Sequence, residues 1–379
     1  MADPLFDQVS ATTLAEMQRD VVYDEFCVRG SWQRIMRYYS AQDPFPGGLY
    51  TKIPFIYDRT NGGAATPGAD RQVTEKTLVS AMGFTPRAYV QDIPMNLWTT
   101  EVVNAGPQKM VDLHDIYYEV AVNSMNTDLN LDAYCHGQAA GTGVAQDRTI
   151  FMNGIDEALS NGVDPGWMGN YYTTYGGHTR NGVVTSTLNS GVTWAGDQNG
   201  NTGMANWDVV VGAYMNCRQT PDTMLSNKAL FTYLWSREET KQRFAQEADA
   251  RIGLTGFHVF DAYYHVDKLC PSTKFGTLIP SGTSQTTSIK PSTFTTPATV
   301  STISGYPAST LCNPGEPMFI LRLKDWKLRP SSSPEYNHFF TPALRSDTNP
   351  ERVTVFYKLA LEHYTPSPQD NWQIVGFGF

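Results

Sequence analysis

Residues 104–136, NAGPQKMVDLHDIYYEVAVNSMNTDLNLDAYCH, constrain this chain more than any other stretch. Pro107 stands at a first helical turn and Gly137 just past the end, as helix boundaries favour. Met110, Leu113, Tyr117 and Val120 recur at helical spacing, and so do Tyr118, Val122, Met125, Leu129 and Ala133. Two apolar rows on one helix predict burial on more than one face. About 30 residues make a rod of roughly 45 Å. A rod that long spans a subunit and reaches others; it says structure before chemistry.

Composition matters here for what it excludes. A chain of 379 residues holds one large domain or two, with ample material for a core. The net charge of −9 argues against general affinity for nucleic acid or anionic membrane. Charged residues make up only 17%, below the usual quarter or so, as suits a surface partly covered in an assembly. The opening MADPLFDQ has neither a basic region nor an apolar run, so no secretory signal is expected. No stretch approaches the length of uninterrupted apolar sequence that a membrane span needs. Cys27, Cys135, Cys217, Cys270 and Cys312 lack CxxC spacing and read as reduced, buried thiols of a cytoplasmic product.

Along the chain, residues 1–43 open with a capping box, Thr13-Leu-Ala-Glu16, and a narrow apolar stripe, Leu14, Met17, Val21 and Phe26. They read either as an arm without a core of its own or as an ordinary first helix. From Leu49 to Trp98 the signals are extended: Ile53–Tyr57, Gln72–Val79 and Phe84–Pro94 around Asn61-Gly-Gly and Thr66-Pro-Gly turns. A long two-stranded excursion is marginal alone, so it is expected to dock on a neighbouring domain or subunit. Gly137–Gly143 superficially suggests a phosphate loop but follows a helix and lacks Gly-Lys-Ser/Thr.

A short helix fits Gly154–Ser160, and the paired glycines of Tyr175-Gly-Gly-His-Thr-Arg180 predict a tight backbone path. Met204–Cys217 and Lys228–Phe244 read as helices, the second with Leu230, Leu234 and Trp235 inward. Pro221–Asn227 and Phe257–Val266 read as strands. That alternation points to an α+β or α/β unit around a small sheet. Residues 281–310 carry sixteen Ser or Thr and a single charge, Lys290, and read as an exposed, partly ordered insertion. Met318–Leu323, Trp326–Leu328, Arg352–His363 and Trp372–Phe377 complete the strands, the last two expected to pair across Thr365–Asn371.

No constellation demands an active site. Asp112, Asp115 and Glu119 share a helix face near His114, yet acids in first turns simply favour the positive helix end. HExxH and GxSxG are absent, and His258 and His265 read as ordinary alternating sheet residues. Asp261 and Asp267 fit strand-end and turn roles.

The order of elements resembles the major capsid protein of tailed bacteriophages over nearly the whole chain. The residues carrying that likeness are the 104–136 helix after a long hairpin, Asn153–Leu159, Tyr175–Arg180, Thr220–Asn227 before a helix, and Gly253–Phe257 through Val266–Cys270. The resemblance implies an α+β fold with an N-terminal arm (1–43), an extended β-hairpin E-loop with flanking strands (44–103) and a P domain built on the long spine helix (104–165). It further implies a central-sheet A domain (166–330, with an insertion at about 276–315) and return strands of the P domain (331–379). It implies hexamers and pentamers closing into an icosahedral virion shell around double-stranded DNA, assembled in the host bacterial cytoplasm. Catalytic, cofactor and metal sites are not expected, and no membrane is involved. Contacts between subunits fall to Arg71, Lys76, Phe84 and Arg87 around the E-loop and to Phe26 and Arg34 of the arm. The chain lacks the long charged helical N-terminal segment of relatives with a built-in scaffold, so a separate scaffolding protein is implied, together with a portal and possible decoration proteins. Two rival classes are an extracellular or tail-type binding protein, expected to form trimeric rods, and an α/β hydrolase, expected to gather acids or a nucleophile in one pocket.

Overall fold

The computed structural model describes Trp32, Ile35, Met36 and residues 44–45, 47–58, 75–98, 113–134, 152–163, 172–180, 188–195, 203–204, 207–237, 256–270, 279–280, 294–295, 316–345 and 351–378, with residues 60, 64, 66, 67 and 349. In chain order the first strands are β1 (Thr51–Ile56), β2 (Val79–Phe84) and β3 (Arg87–Asn96), followed by helices α1 (Leu113–Tyr134) and α2 (Ile155–Ala158). Next come β4 (Thr174–Tyr175), β5 (His178–Thr179), β6 (Gly191–Trp194) and β7 (Gly203–Met204), then α3 (Trp207–Asn216), β8 (Thr223–Ser226) and α4 (Lys228–Arg237). After these come β9 (Gly256–Val259), β10 (Ala262–Val266), β11 (Ile279–Pro280), β12 (Phe294–Thr295), β13 (Glu316–Leu321) and β14 (Lys327–Pro330). The chain closes with β15 (Phe339–Phe340), β16 (Leu344–Arg345), β17 (Arg352–Tyr364) and β18 (Trp372–Gly378).

The spine is α1. Its second apolar row faces the core: Met125, Leu129 and Ala133 are buried and Tyr118 meets Phe340 edge-to-face at 4.8 Å. The C-terminal half is covered more widely, since Thr127, Asp128, Asn130 and Asp132 are buried too. Thr127 and Asn130 donate to carbonyls four residues back, and Gln91 Nε2 donates to Asp128 at 2.6 Å. Residues 104–112, with Pro107 and Asp112, lie outside the described residues; Asp115 and Glu119 are exposed.

Beside the spine lies a sheet built on β17. All 10 residues of β3 pair antiparallel with it, while β14, β15 and β16 take turns along its other side. Strict alternation puts Val353, Val355, Tyr357, Leu359 and Leu361 inward, as a one-face-buried antiparallel sheet requires.

A second, seven-stranded sheet runs β6-β18-β13-β8-β10-β9, with β7 beside β18. Here both faces are covered. Met224, Met318, Ile320 and Ile374 pack with α3 and α4 through Val210, Leu230 and Leu234. Leu225, Phe319, Leu321 and Val375 join the core that holds the spine. That is why β13 and β8 read as continuous buried runs.

Three expectations need correction. Trp372–Gly378 does not pair with Arg352–Tyr364; β18 crosses into the seven-stranded sheet, between β13 and β6. The 3-10 turn Pro368–Asp370 and Asn371 redirect it: Asn371 Oδ1 accepts from Arg322 N and Trp326 Nε1, both at 2.9 Å. Phe257–Val266 is two strands folded at Phe260-Asp261, so His258 and His265 sit on neighbouring strands. Trp235 is at the surface, stacked on Phe231 at 5.7 Å. Most of 281–310 lies outside the described residues; Phe294–Thr295 within it (β12) pairs antiparallel with β11 just before it.

The described part of residues 1–43 belongs to the core of its own chain. Trp32, Ile35 and Met36 are fully buried. Trp32 N–H donates to Asp267 Oδ2 at 3.0 Å, and the same oxygen accepts from the Tyr134 hydroxyl at 2.7 Å. Asp267 Oδ1 takes the Leu269 N–H at 2.9 Å. One carboxylate at the end of β10 thus fastens the N-terminal segment, the end of the spine and the seven-stranded sheet.

Candidate assembly surface

Among the described residues, the β1–β2 hairpin combines a two-stranded sheet with exposed apolar side chains. Among the described residues its strands form a ladder with each other and with no third strand, and six residues per strand give a stem of roughly 20 Å. Ile53 and Phe55 turn toward the core, but Ile56 is 71% exposed, Val79 52% and the adjoining Leu49 79%. Exposed edges and apolar side chains together are what a partner covers. The Lys76–Asp58 ion pair at 2.6 Å is exposed and contributes about 1 kcal/mol at most. Beneath the stem runs a cleft of about 500 Å³, between Phe55, Ile56 and Val79 on one side and Leu188, Arg218 and Pro366 on the other.

The base of the hairpin is held by Tyr175–Arg180. Gly176 and Gly177 both take left-handed φ, 55° and 83°, which folds β4 onto β5 in a two-residue turn. Gly83 N–H donates to Gly176 O at 3.0 Å. His178 Nε2 donates to Ala81 O at 2.8 Å, and its ring meets Phe55 edge-on at 5.3 Å. Tyr175 packs against Phe84 at 5.3 Å, and its hydroxyl donates to Thr365 O at 2.9 Å.

The turn is itself anchored by Arg180, whose buried guanidinium donates to Leu188 O at 2.6 Å, Glu157 O at 2.8 Å, Ala158 O at 3.4 Å and Ser160 O. Burial lowers its pKa to about 10, so it stays a cation at neutral pH and is held by carbonyl dipoles. A Cβ on Gly176 would stand 2.7 Å from Met82 Cβ, at a φ that disfavours any side chain. Gly176→Ala is therefore expected to cost about 2–4 kcal/mol through backbone strain and overpacking. Hydrogen exchange at the Gly83 amide checks this: faster exchange is expected, and unchanged protection would mean the turn does not hold the hairpin.

Of the contact residues expected from sequence, Lys76 lies on the approach to β2, in its pair with Asp58. Phe84 faces inward: it is buried and stacked on Tyr364 at 4.8 Å, so it positions the hairpin rather than meeting a neighbour. Arg87 is half-buried at the start of β3. Phe26, Arg34 and Arg71 lie outside the described residues. Sequence reasoning passed over Leu49, Ile56 and Val79, because single apolar residues in a strand look like core until the pairing register is known.

Among the described residues, no group of three His, Cys, Asp or Glu is arranged to hold a metal, and no helix is long and apolar enough to cross a membrane. Asp156 is buried on α2, where burial pushes its carboxyl well up. The Cys217 thiol is pushed up to about 12 by burial, far from the range of a reactive cysteine.

No protein-family model and no curated protein sequence matches this chain. Its likeness to solved structures is one of shape. It is similar to a capsid subunit of cyanophage A-1(L), with a TM-score of 0.62 at 11% identity, covering 96% of this chain and 97% of that one. It is similar to the SrpI encapsulin of Synechococcus elongatus PCC 7942 (TM-score 0.54, 9% identity, 97% and 95% covered) and to the capsid of the native GTA particle (0.53, 8%, 96% and 94%). At these identities the likeness is one of fold, and it spans nearly the whole of each chain. The chain has the α+β fold of these capsid and encapsulin subunits.

Proposed function

We propose that this chain is the major capsid protein of a tailed bacteriophage, forming hexamers and pentamers that close into an icosahedral shell around double-stranded DNA. The observation that carries the reading is the β1–β2 hairpin, which leaves Ile56 and Val79 uncovered while its base is firmly held. A neighbouring copy supplies the missing cover, and identical contacts around a ring close a capsomer. The higher TM-score to the cyanophage capsid than to the encapsulin favours a phage shell. The net charge of −9 suits a wall that encloses DNA without gripping it. The role is structural, with no chemical step. A separate scaffolding protein, a portal and a decoration protein are the partners this role calls for, and the virion is its place, after assembly in the bacterial cytoplasm.

Deleting Gly62–Lys76 tests the reading. Light scattering of the intact chain is expected to show large closed assemblies, whereas the deletion variant stays a folded monomer with an unchanged thermal transition. A variant that still assembles would overturn the role given to the hairpin; one that loses its transition would place the hairpin in the core.

A further inference from the structure

His363 lies fully buried where the N-terminal segment meets the body, between two tryptophans. Trp326 stacks on its ring at 5.0 Å, and Trp32 meets it edge-on at 5.7 Å; the two indoles meet each other at 5.5 Å. Nδ1–H donates to Asn153 O at 2.6 Å. Nε2 is buried and has no hydrogen-bond partner among the described residues. We propose that His363 is an acid-operated latch, which holds Trp32 in place while its ring is neutral and releases the N-terminal segment when Nε2 takes a proton.

Protonation creates a second N–H inside an indole box where Nε2 has no hydrogen-bond partner among the described residues. The stacked face of Trp326 returns part of that cost by cation–π attraction, but among the described residues no carboxylate hydrogen-bonds the ring. The elements around the ring bring few others. Its strand neighbour Glu362 is paired with Arg329 at 3.7 Å, its cross-strand partner is Leu328, and Asp267 is occupied by Trp32 N–H and Tyr134. Burial holds the imidazole at about 4 rather than 6.5. A ring with a lowered value favours the closed state above 6.5, and that preference fades as pH falls toward 4. If release restores an ordinary ring, the released fraction rises about 30-fold between pH 7.5 and pH 5. The latch concerns a single chain, so it stands or falls independently of shell assembly.

A Met36→Cys reporter measures it, since Met36 is fully buried beside Trp32 in the segment. Labelling by a disulfide probe active in acid, compared with the same peptide free in solution, gives the released fraction. The expected result is a rise of about 30-fold from pH 7.5 to pH 5, shrinking to less than about threefold with His363→Phe. Equal labelling at both pH values, or the same rise in His363→Phe, overturns the latch. Should His363→Phe not fold, 13C-histidine NMR of Trp32→Ala decides. Removing the indole is expected to move the His363 midpoint up by about 1 unit or more, and an unmoved midpoint contradicts the proposal.

Discussion

Asp267→Ala is expected to destabilise the chain by about 4–6 kcal/mol, because three buried donors lose their acceptor together. Those donors are Trp32 N–H, the Tyr134 hydroxyl and Leu269 N–H. They come from the N-terminal segment, the spine and the turn after β10, so the loss loosens three elements at once. The unfolding midpoint is expected to fall by on the order of 10 °C. Tyr134→Phe alone removes a single hydrogen bond and should cost about 1 kcal/mol, with little further cost in the Asp267→Ala background. Additive losses from the two substitutions would show that the hydroxyl and the carboxylate do not act as a unit.

The second large effect is expected at Arg180. Arg180→Met should cost about 3–5 kcal/mol, since it removes a buried cation and leaves its carbonyl acceptors bare. Glu157, Ala158, Ser160 and Leu188 supply those carbonyls, and all of them support the turn that grips the hairpin. Arg180→Lys should recover only part, because an ammonium cannot reach in several directions as the planar fork does. Chemical denaturation measures both. A methionine variant within 1 kcal/mol of the parent, roughly the worth of a single hydrogen bond, would mean that the carbonyls find other donors.

Much of this architecture was legible from local pattern. Periodicity located the spine, and its second row, Met125, Leu129 and Ala133, is the one the core covers. The unbroken alternation of Arg352–His363 gave β17 to within a residue. The turn readings of Asp261 and Asp267 hold as well: one sits in the β9–β10 turn, the other at a strand end. What local pattern misses is pairing across the chain. Trp372–Phe377 looks like the second arm of a hairpin with β17, and only the bonds of Asn371 and the contacts of the seven-stranded sheet send it elsewhere. Local pattern leaves residues 1–43 open between an arm and an ordinary first helix, because the cover of Trp32 comes from Trp326 and Asp267, hundreds of residues away. The β1–β2 hairpin was the opposite case. Its shortage of periodic apolar residues predicts docking on a neighbour, whereas its grip by Gly176 and His178 depends on a backbone approach that no periodicity reveals.

The central claim, that this chain builds a shell, is tested most directly by negative-stain electron microscopy of the purified full-length protein under assembly conditions, with and without a scaffolding protein encoded beside it. The expected images are hollow, closed, isometric particles whose walls resolve into rings of five and six subunits. Trimeric rods, or monomers alone under every condition, would contradict it.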